Sequence, residues 1–117
     1  MPIVNIYEVE QTKSCVRGGK GMCLGATAFG PEIFKSSIQG VGMTVVPPGC
    51  SIGSHAHGNE EEIYLVLEGA GIADLDGEQQ RVKKGDVLYN VPGGTHGMIN
   101  DQPEDLVIFA FMASFDE

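Results

Sequence analysis

Short runs of apolar residues, separated by glycine and proline turns, recur along almost the whole chain. The runs are five to eight residues long and the turns recur every eight to twelve residues, which is typical of β-strands. No stretch has a clear helical period, and we expect at most one turn of helix near residues Pro31–Ser36. The predicted strands are Ile3–Val9, Met22–Phe29, Ile38–Val46, Ile63–Leu67, Ile72–Leu75, Gln79–Val82, Val87–Val91 and Leu106–Ala113.

The turn residues favour antiparallel pairing. Asp76-Gly77 lies between two predicted strands and is the signal of a type I′ hairpin. Gly25 interrupts the run Met22–Phe29, where we expect a bulge or a close backbone contact. The loop Gly18–Gly21 lacks the spacing of a P-loop, so we do not assign it to phosphate binding. The pattern predicts an all-β protein with a closed or sandwiched antiparallel architecture.

Length and composition refine this prediction. The chain has 117 residues, of which 42% are hydrophobic, so we expect a single domain over residues 1–117 with its own core. A domain of this size buries a modest fraction of its surface. The apolar strand Ile3–Val9 would leave an edge that can pad or extend the sheet of a second copy. We therefore predict a homodimer, with a monomer as the alternative.

Charge limits the kinds of partner. The formal net charge is -9, from 16 acidic and 7 basic residues, which disfavours nucleic acid and anionic membrane surfaces. The longest apolar run, Leu106–Ala113, is far short of a membrane span. No basic start followed by an apolar stretch appears at the N-terminus. We expect a cytoplasmic protein whose partner is a small-molecule substrate or ligand.

The three cysteines carry little chemistry in the sequence. Cys15, Cys23 and Cys50 form an odd set without a Cys-x-x-Cys pair, so we do not expect a disulfide framework. We expect them to be small buried residues. Cys50 opens the strand that leads to His55, and its direction is open.

Candidate chemistry lies between Gly49 and Gly69. His55 and His57 are two residues apart, so on an extended strand both imidazoles point to one face. Imidazole is the commonest metal ligand in proteins. Glu62 opens the next predicted strand and is a candidate third ligand, preferred over Glu60 and Glu61, for which we expect a solvated loop. His96, the remaining histidine, is the candidate fourth.

The spacing of these residues resembles the cupin family. Gly49, five residues, His55-Ala56-His57, four residues, Glu62, six residues and Gly69 resemble its first motif. Gly85, five residues, Val91-Pro92-Gly93, two residues, His96, three residues and Asn100 resemble its second. The family usually has proline where Val91 stands, which affects a turn and not a ligand.

The resemblance implies a double-stranded β-helix jelly-roll barrel that holds one divalent metal ion. It implies His55, His57, Glu62 and His96 as the metal ligands, and a structural hydrogen bond for Asn100. Fe(II), Mn(II), Ni(II), Cu(II) and Zn(II) all accept nitrogen and oxygen ligands, so the donor set leaves the metal open.

Strand parity suggests which other side chains face the barrel interior. Tyr64 shares the face of Glu62 and is a candidate catalytic residue through a hydrogen bond to the ligand, with a packed strand aromatic as the alternative. Two further strands leave their direction open. The candidates are Met43 and Val45 or Thr44 and Val46 on one strand, and Phe109 and Phe111, or Phe115 further on, at the end of the chain.

Three functions fit these observations. The resemblance implies a metal-dependent oxygenase, of the dioxygenase type, acting on a small chelating substrate. The alternatives are a non-redox isomerase, lyase or decarboxylase acting on a sugar or sugar acid, and a non-enzymatic binding or sensing module. An anionic substrate requires a cation beside the metal, and the sequence places none of Arg17, Lys20 and Lys35 firmly inside the barrel. That favours the oxygenase.

Overall fold

The computed structural model describes residues 1–116, and over this range the chain is built of β-strands with three single-turn 3-10 helices. The 3-10 helices are Ile6–Glu8, Val16–Gly18 and Pro31–Ile33. The strands are β1 (Thr12–Ser14), β2 (Cys23–Phe29), β3 (Ile38–Val46), β4 (Ser51–Ala56), β5 (Glu60–Glu68), β6 (Ala70–Leu75), β7 (Glu78–Lys83), β8 (Val87–Asn90), β9 (Thr95–Ile99) and β10 (Leu106–Ser114). Within the described range, no helix is long and apolar enough to cross a membrane.

Two antiparallel sheets form the barrel. The larger sheet has the strand order β1-β2-β3-β10-β5-β8, and the smaller has the order β4-β9-β6-β7. The pairing of β3 with β10 and of β5 with β10 joins distant parts of the chain. This is the double-stranded β-helix jelly roll that the resemblance to the cupin family implied.

The main core lies between the two sheets. Val46, Tyr64 and Val66 of the larger sheet meet Ala73 and Met98 of the smaller one, and all five are at most 5% exposed. These side chains come from alternate positions of their strands, because successive residues of a strand point to opposite faces. The same alternation directs the candidate ligands toward the interior.

The structure decides the two parities that the sequence left open. Thr44 and Val46 face the interior, whereas Met43 and Val45 lie in a second cluster on the outer face of the larger sheet. On β10 the expectation for the phenylalanines was wrong. Phe109 is the register partner of Met43 and Leu65, which places it outside, and Phe111 follows it. The interior positions are Ile108, Ala110 and Met112, and Phe115 is exposed beyond the end of β10.

The predicted strand Ile3–Val9 was also wrong. The side chain of Asn5 accepts a hydrogen bond from the Tyr7 N–H at 3.0 Å, and the Asn5 carbonyl accepts one from the Glu8 N–H. Short polar side chains that bond to nearby backbone groups favour turns over strands. Residues Ile6–Glu8 therefore form a 3-10 turn, and Ile6 and Val9 pack onto the outer face of the chain's own larger sheet.

The tight turn between β6 and β7 has the predicted geometry. Asp76 and Gly77 have φ angles of 53° and 80°, so both lie in the left-handed region that a type I′ hairpin requires. The Asp76 carboxylate also accepts a hydrogen bond from the Thr95 N–H at 2.8 Å. This bond joins the hairpin to the first residue of β9, next to His96.

Candidate metal centre

Backbone pairing positions two of the four candidate ligands. His55 on β4 and His96 on β9 are register partners, and their ring centroids are 4.3 Å apart. A shift in the register between Ile52 and His55 marks a bulge just before the first histidine. Bulges bend a strand and re-aim its side chains, so the irregularity adjusts how His55 points into the barrel.

The other two ligands come from the ends of neighbouring strands. His57 follows the last residue of β4, and its carbonyl accepts a hydrogen bond from the Gly93 N–H at 2.7 Å, in the loop before β9. Glu62 lies in β5, which begins at Glu60, three residues before the predicted start at Ile63. The turn between β4 and β5 therefore brings His57 and Glu62 to the same end of the barrel.

All four predicted ligands converge on one point. His55, His57, Glu62 and His96 each offer a donor atom, and these atoms lie within 4.8 Å of one another. Oε1 of Glu62 is 3.0 Å from Nε2 of His96 and 3.6 Å from Nε2 of His57. His57 and His96 are buried, and Glu62 is 14% exposed. The cluster thus combines three imidazoles and one carboxylate in a largely dry setting.

Hydrogen bonds from the second nitrogen fix two of the imidazole rings. Nδ1 of His55 lies 2.7 Å from the carbonyl oxygen of Gly53, which can only accept, so this nitrogen carries the proton. Nδ1 of His57 lies 3.3 Å from Oε1 of Glu60. In both rings Nε2 is left as the atom that faces the cluster. Such outer partners orient metal-binding histidines and increase their basicity.

The donor set fits a divalent transition ion. Nε2 of His57 is fully buried and has no hydrogen-bond partner among the described residues, although a buried polar atom normally has one. Neutral imidazole nitrogens and a carboxylate oxygen match the preferences of such ions. A bound ion would give Nε2 of His57 a partner. Its positive charge would also stabilise the close approach of the four donor atoms.

Burial also sets the protonation of His55. Burial is the main cause that lowers the pKa of His55 below its ordinary value of 6.5, and the hydrogen bond to Gly53 opposes it. The charges of His96, Arg17 and His57 lower it further. His55 is therefore neutral at pH 7 and available as a ligand.

A cavity opens beside the cluster, and Tyr64 lines it together with His55, His57 and Glu62. Tyr64 is 5% exposed, and its ring centroid is 5.6 Å from that of His96. Burial first, and then the charge and hydrogen bonding of Glu62, raise the pKa of Tyr64 well above its ordinary value of 10.0. The hydroxyl group stays protonated at neutral pH, so it can donate a hydrogen bond and is a poor source of protons. Its catalytic role stays a prediction.

A cation lines the same cavity. Arg17 lies in the 3-10 turn Val16–Gly18. Its positive charge adds to the lowering of the pKa of His55 and partly opposes the rise in the pKa of Tyr64. Its backbone has φ 54° and ψ 33°, a left-handed conformation that is uncommon for a residue with a side chain. Such conformations cluster at functional sites, where the surrounding structure holds them.

Two glycines hold this turn against β4. A Cβ atom on Gly19 would clash with the carbonyl oxygen of Ser51, and one on Gly53 would clash with the carbonyl oxygen of Arg17. The Ser51 N–H also donates to the Lys20 carbonyl, at 2.8 Å. The backbone of the loop therefore packs directly on the strand that carries His55.

The cavity has a volume of about 160 Å³. Drug-sized ligands occupy pockets of about 300 Å³ or more, so this space suits a molecule of a few heavy atoms. A second cavity of about 300 Å³ shares Glu62, Ala110 and Met112 with the first. The lining of the first cavity is Val16, Arg17, Thr44, Ile52, His55, His57, Glu62, Tyr64, Ile108, Ala110 and Met112.

Several residues of the site depart from expectation or were missed. Glu60 and Glu61 are not in a solvated loop but in β5, where Glu60 contacts His57 and Glu61 accepts a hydrogen bond from the Tyr89 hydroxyl. Asn90 is the register partner of Glu62 and 4% exposed, and its amide has no partner within residues 1–116. The only sequence signal for Asn90 was a polar residue at an interior parity of β8.

Asn100 and the cysteines can also be compared with expectation. The structural role of Asn100 is confirmed, because its amide donates to the carbonyls of Val46 and Glu104, at 2.8 and 2.7 Å. Among the described residues all three cysteines are free thiols. Cys23 is buried as expected, Cys50 is half-buried and Cys15 is exposed, so the expectation was wrong for Cys15.

Comparison with known proteins supports the same site. A family described as "Cupin domain" matches residues 42–112, which contain all four candidate ligands. An oxalate-binding protein of Thermotoga maritima is 34% identical over 97 residues, which are 83% of this chain and 80% of that protein. An uncharacterised protein of Methanocaldococcus jannaschii is 41% identical over 70 residues, which are 60% of this chain and only 56% of that relative.

Solved structures share the barrel. The crystal structure of a predicted oxalate decarboxylase from Thermotoga maritima superposes with a TM-score of 0.93 at 30% identity, over 97% of this chain and 100% of that chain. The polyketide cyclase RemF from Streptomyces resistomycificus superposes with a TM-score of 0.80 at 22% identity, over 99% of this chain and 80% of that chain. The second likeness concerns the fold alone.

Proposed function

Since the chain belongs to the cupin family, we propose that it binds a small carboxylate anion, of the oxalate type, on a divalent ion held by His55, His57, Glu62 and His96. A bound ion supplies Lewis acidity and open coordination positions for the oxygen atoms of the anion. The observation that carries the proposal is Arg17, a cation on the wall of the same cavity.

Charge explains why a cation is needed beside the ligands. Three neutral imidazoles and one carboxylate leave a divalent ion with a net charge of about +1. A dianion of the oxalate type brings two negative charges into a cavity that already contains Glu62. The Arg17 guanidinium can offset the remaining charge and form paired hydrogen bonds with a carboxylate, which a point charge does not match.

The presence of Arg17 also changes the balance among the three candidate functions. The oxygenase was favoured because no cation could be placed beside the metal ligands, and Arg17 removes that reason. The small cavity volume of about 160 Å³ supports a ligand of few atoms. The relative described as an oxalate-binding protein supports the same ligand class.

The other cavity residues fit binding better than proton transfer. The Tyr64 hydroxyl is held protonated by its raised pKa, so it can donate a hydrogen bond to an anion oxygen. Thr44 supplies a second hydroxyl on the same wall, and Ile52, Ile108 and Ala110 exclude water. Hydrogen bonds to a charged ligand strengthen where water is excluded.

Calorimetric titration of the metal-loaded protein tests the proposal. Oxalate should bind, while acetate and the neutral diamide oxamide should bind at least ~10-fold more weakly, because each lacks one charged carboxylate or both. Arg17→Ala should weaken oxalate binding by about 10- to 100-fold, as expected for a hydrogen-bonded charge pair. The metal content should not change.

A matched control separates Arg17 from a general loss of positive charge. Arg81 is exposed and forms an ion pair with Asp101 at 2.8 Å, away from the cavity, so Arg81→Ala should bind oxalate like the unaltered protein. Equal binding of oxalate by metal-free protein, or by the Arg17→Ala variant, would contradict the proposal. Assays for carbon dioxide release and oxygen uptake in the same samples distinguish binding alone from decarboxylation or oxygenation.

A further inference from the structure

The interior face of the larger sheet holds a buried polar side chain that the proposed binding site does not use. In β8, Val87 and Tyr89 are 65% and 54% exposed, whereas Leu88 and Asn90 are 8% and 4% exposed. Successive side chains of a strand point to opposite faces, so Asn90 points inward on the same face as Leu88, which packs in the main core. Asparagine is depleted in β-strands, so this buried position departs from the local preference.

The amide group of Asn90 lacks hydrogen bonds. Neither its Oδ1 nor its Nδ2 atom has a partner within residues 1–116, and both atoms are fully buried. Such a group costs free energy, and the large majority of buried polar groups in proteins are hydrogen-bonded. Asn100 shows the usual case, because the amide of this buried residue donates to two backbone carbonyls. Asn100 stabilises the fold through its hydrogen bonds, and Asn90 does not.

Strand pairing places Asn90 beside Glu62. The two residues are register partners in the ladder between β5 and β8, so their Cβ atoms lie on one face, about 4.5–5.5 Å apart. On its other side, Glu62 is paired with the apolar Met112 of β10. β8 is the outermost strand on this side of the larger sheet. Among the described residues of the sheet, Asn90 is therefore the register neighbour of Glu62 that can donate a hydrogen bond.

The Glu62 carboxylate needs a donor on the side away from the imidazoles. Its Oε1 atom lies 3.0 Å from Nε2 of His96 and 3.6 Å from Nε2 of His57. Carboxylates that ligate metals are normally hydrogen-bonded by an outer partner, which fixes their orientation. The Tyr64 hydroxyl hydrogen-bonds to Glu62, but the proposed function directs that hydroxyl to the bound anion. The Asn90 amide is then the donor that remains for the carboxylate.

We propose that Asn90 is a positioning residue of the metal centre, whose amide donates a hydrogen bond to the Glu62 carboxylate when the site holds its ion. This inference rests on the metal site of the proposed function. The amide N–H groups can only donate and the ionised carboxylate can only accept, so the two groups are chemically matched. A lysine or arginine here would offset the charge of Glu62 and weaken its attraction for the ion. A neutral amide orients the carboxylate and leaves its charge for the ion.

The same substitution at Asn90 should therefore act differently on the two forms of the protein. In the metal-free form, an apolar residue removes an unpaired buried polar group, which does not lower stability. In the metal-loaded form, it removes a donor to a ligand and lowers the affinity for the ion. A residue that only stabilised the fold would lower the stability of the metal-free form when it is replaced.

Two variants of similar size and shape test the role of the amide. Asn90→Val has no hydrogen-bond donor, whereas Asn90→Thr has a hydroxyl donor. Competition for Mn(II) between each protein and a chelator measures the affinity. Asn90→Val should lower this affinity by about 10- to 100-fold, and Asn90→Thr should retain more of it. Without metal, Asn90→Val should melt at the same temperature as the unaltered protein or higher.

Leu88→Val is a matched control on the same face of the same strand. Leu88 packs in the main core and is the register partner of Tyr64. Shortening it leaves a small cavity, so this variant should lower the melting temperature of the metal-free protein. It removes no polar group beside Glu62, so its affinity for Mn(II) should stay within ~3-fold of the unaltered protein.

Three results would overturn the proposal. The first is an unchanged affinity for Mn(II) in Asn90→Val, and the second is an equal loss of affinity in the valine and threonine variants. The third is an Asn90→Val variant that fails to fold or melts ~4 °C or more below the unaltered protein without metal, since the amide would then be part of the fold. In all three cases the unaltered protein still binds Mn(II) and oxalate, so the proposed function stands. An unaltered protein that binds no ion would refute both.

Discussion

His55 and His96 stand opposite each other as register partners on β4 and β9, with ring centroids 4.3 Å apart. Because the backbone ladder fixes both positions, two imidazoles face one point without help from a ligand. The Nδ1 bond of His55 to the Gly53 carbonyl then fixes the ring itself. Sites built on strands in this way are more precise than sites built on loops.

The first prediction concerns metal content. We expect about one divalent ion per chain in protein purified without metal-affinity steps, measured by elemental analysis. His57→Ala or His96→Ala should remove most of it, since each deletes one of four ligands. Glu61→Gln changes a carboxylate that bonds Tyr89 on the outer face and should keep the metal. Full occupancy in a His55→Ala, His57→Ala double variant would show that the ion binds elsewhere.

The second prediction concerns pH. Because the pKa of His55 is lowered in the folded state, the unfolded chain binds more protons than the folded one just below pH ~6.5. The free energy of unfolding of the metal-free protein should therefore fall as the pH drops below ~6.5. Above pH ~6.5, His55 is neutral in both the folded and the unfolded state, so it should cause no change of this free energy with pH. Metal affinity should also fall as the pH drops below ~6.5, since protons compete for the imidazoles.

Melting temperatures between about pH 5 and 8, with and without metal, check this second prediction. The difference between the two forms should be largest at neutral pH and should shrink toward pH 5. His55→Gln should flatten part of the slope of the metal-free protein. The prediction would be contradicted if the metal-free protein became more stable on acidification. It would also be contradicted if the metal-free and metal-loaded forms had equal melting temperatures at pH 7.5.

The third prediction concerns Glu60, which is not one of the four residues of the cluster. Its Oε1 atom lies 3.3 Å from Nδ1 of His57. Glu60→Ala should lower metal affinity by about 10- to 100-fold, as loss of an outer-shell partner does. Glu60→Gln keeps a hydrogen-bond acceptor and should retain more of the affinity. A competition titration with a chelator measures both. Equal affinities for both variants and the unaltered protein would remove Glu60 from the site.

The resemblance to the two cupin motifs implied the jelly-roll fold and the four candidate ligands, because the spacing of the motif residues can be read from the sequence. Ile38–Val46 was predicted with its observed bounds, since turn residues delimit its apolar run. The spacing of His55, His57 and Glu62 is visible in the sequence, because these three residues lie within eight consecutive positions on two successive strands. The sequence could not predict which side chains of β10 point into the barrel. Every position from Leu106 to Ala113 is apolar, so no alternation of apolar and polar residues distinguishes the two faces of the strand.

Other features depend on contacts that the sequence does not contain. Arg17 is placed beside His55 by backbone contacts of its loop with Gly53 and Ser51, which are more than thirty positions away. Asn5 turned the predicted first strand into a 3-10 turn through one side-chain bond. In each case a specific contact outweighed the local propensity.

The fourth prediction separates the backbone of Arg17 from its side chain. Glycine adopts left-handed angles without strain, so Arg17→Gly should leave the free energy of unfolding unchanged or raise it by up to ~1 kcal/mol. The same variant should bind oxalate as weakly as Arg17→Ala. Gly53→Ala should displace the loop through its clash with the Arg17 carbonyl, and should weaken oxalate binding while Arg17 is still present. Chemical denaturation and calorimetry measure the two effects, and strong oxalate binding by Arg17→Gly would refute the role of the side chain.

The fifth prediction concerns two truncations of the N-terminus. Residues 1–4 are exposed and contribute little to the core of their own chain, so deleting them should leave the free energy of unfolding of the monomer nearly unchanged while weakening the homodimer that the sequence predicts. Deleting residues 1–9 also removes Ile6 and Val9, which cover Met43, Val45 and Val107. Because two half-buried aliphatic side chains are lost, this deletion should lower the free energy of unfolding of the metal-free protein by about 1–3 kcal/mol.

Urea denaturation at low protein concentration measures the stability of the monomer, and sedimentation at high concentration measures self-association. If the shorter deletion destabilises the monomer as much as the longer one, the packing of Ile6 and Val9 is not what stabilises the outer face. If neither deletion changes the self-association of the chain, the N-terminal segment does not contribute to the homodimer that the sequence predicts.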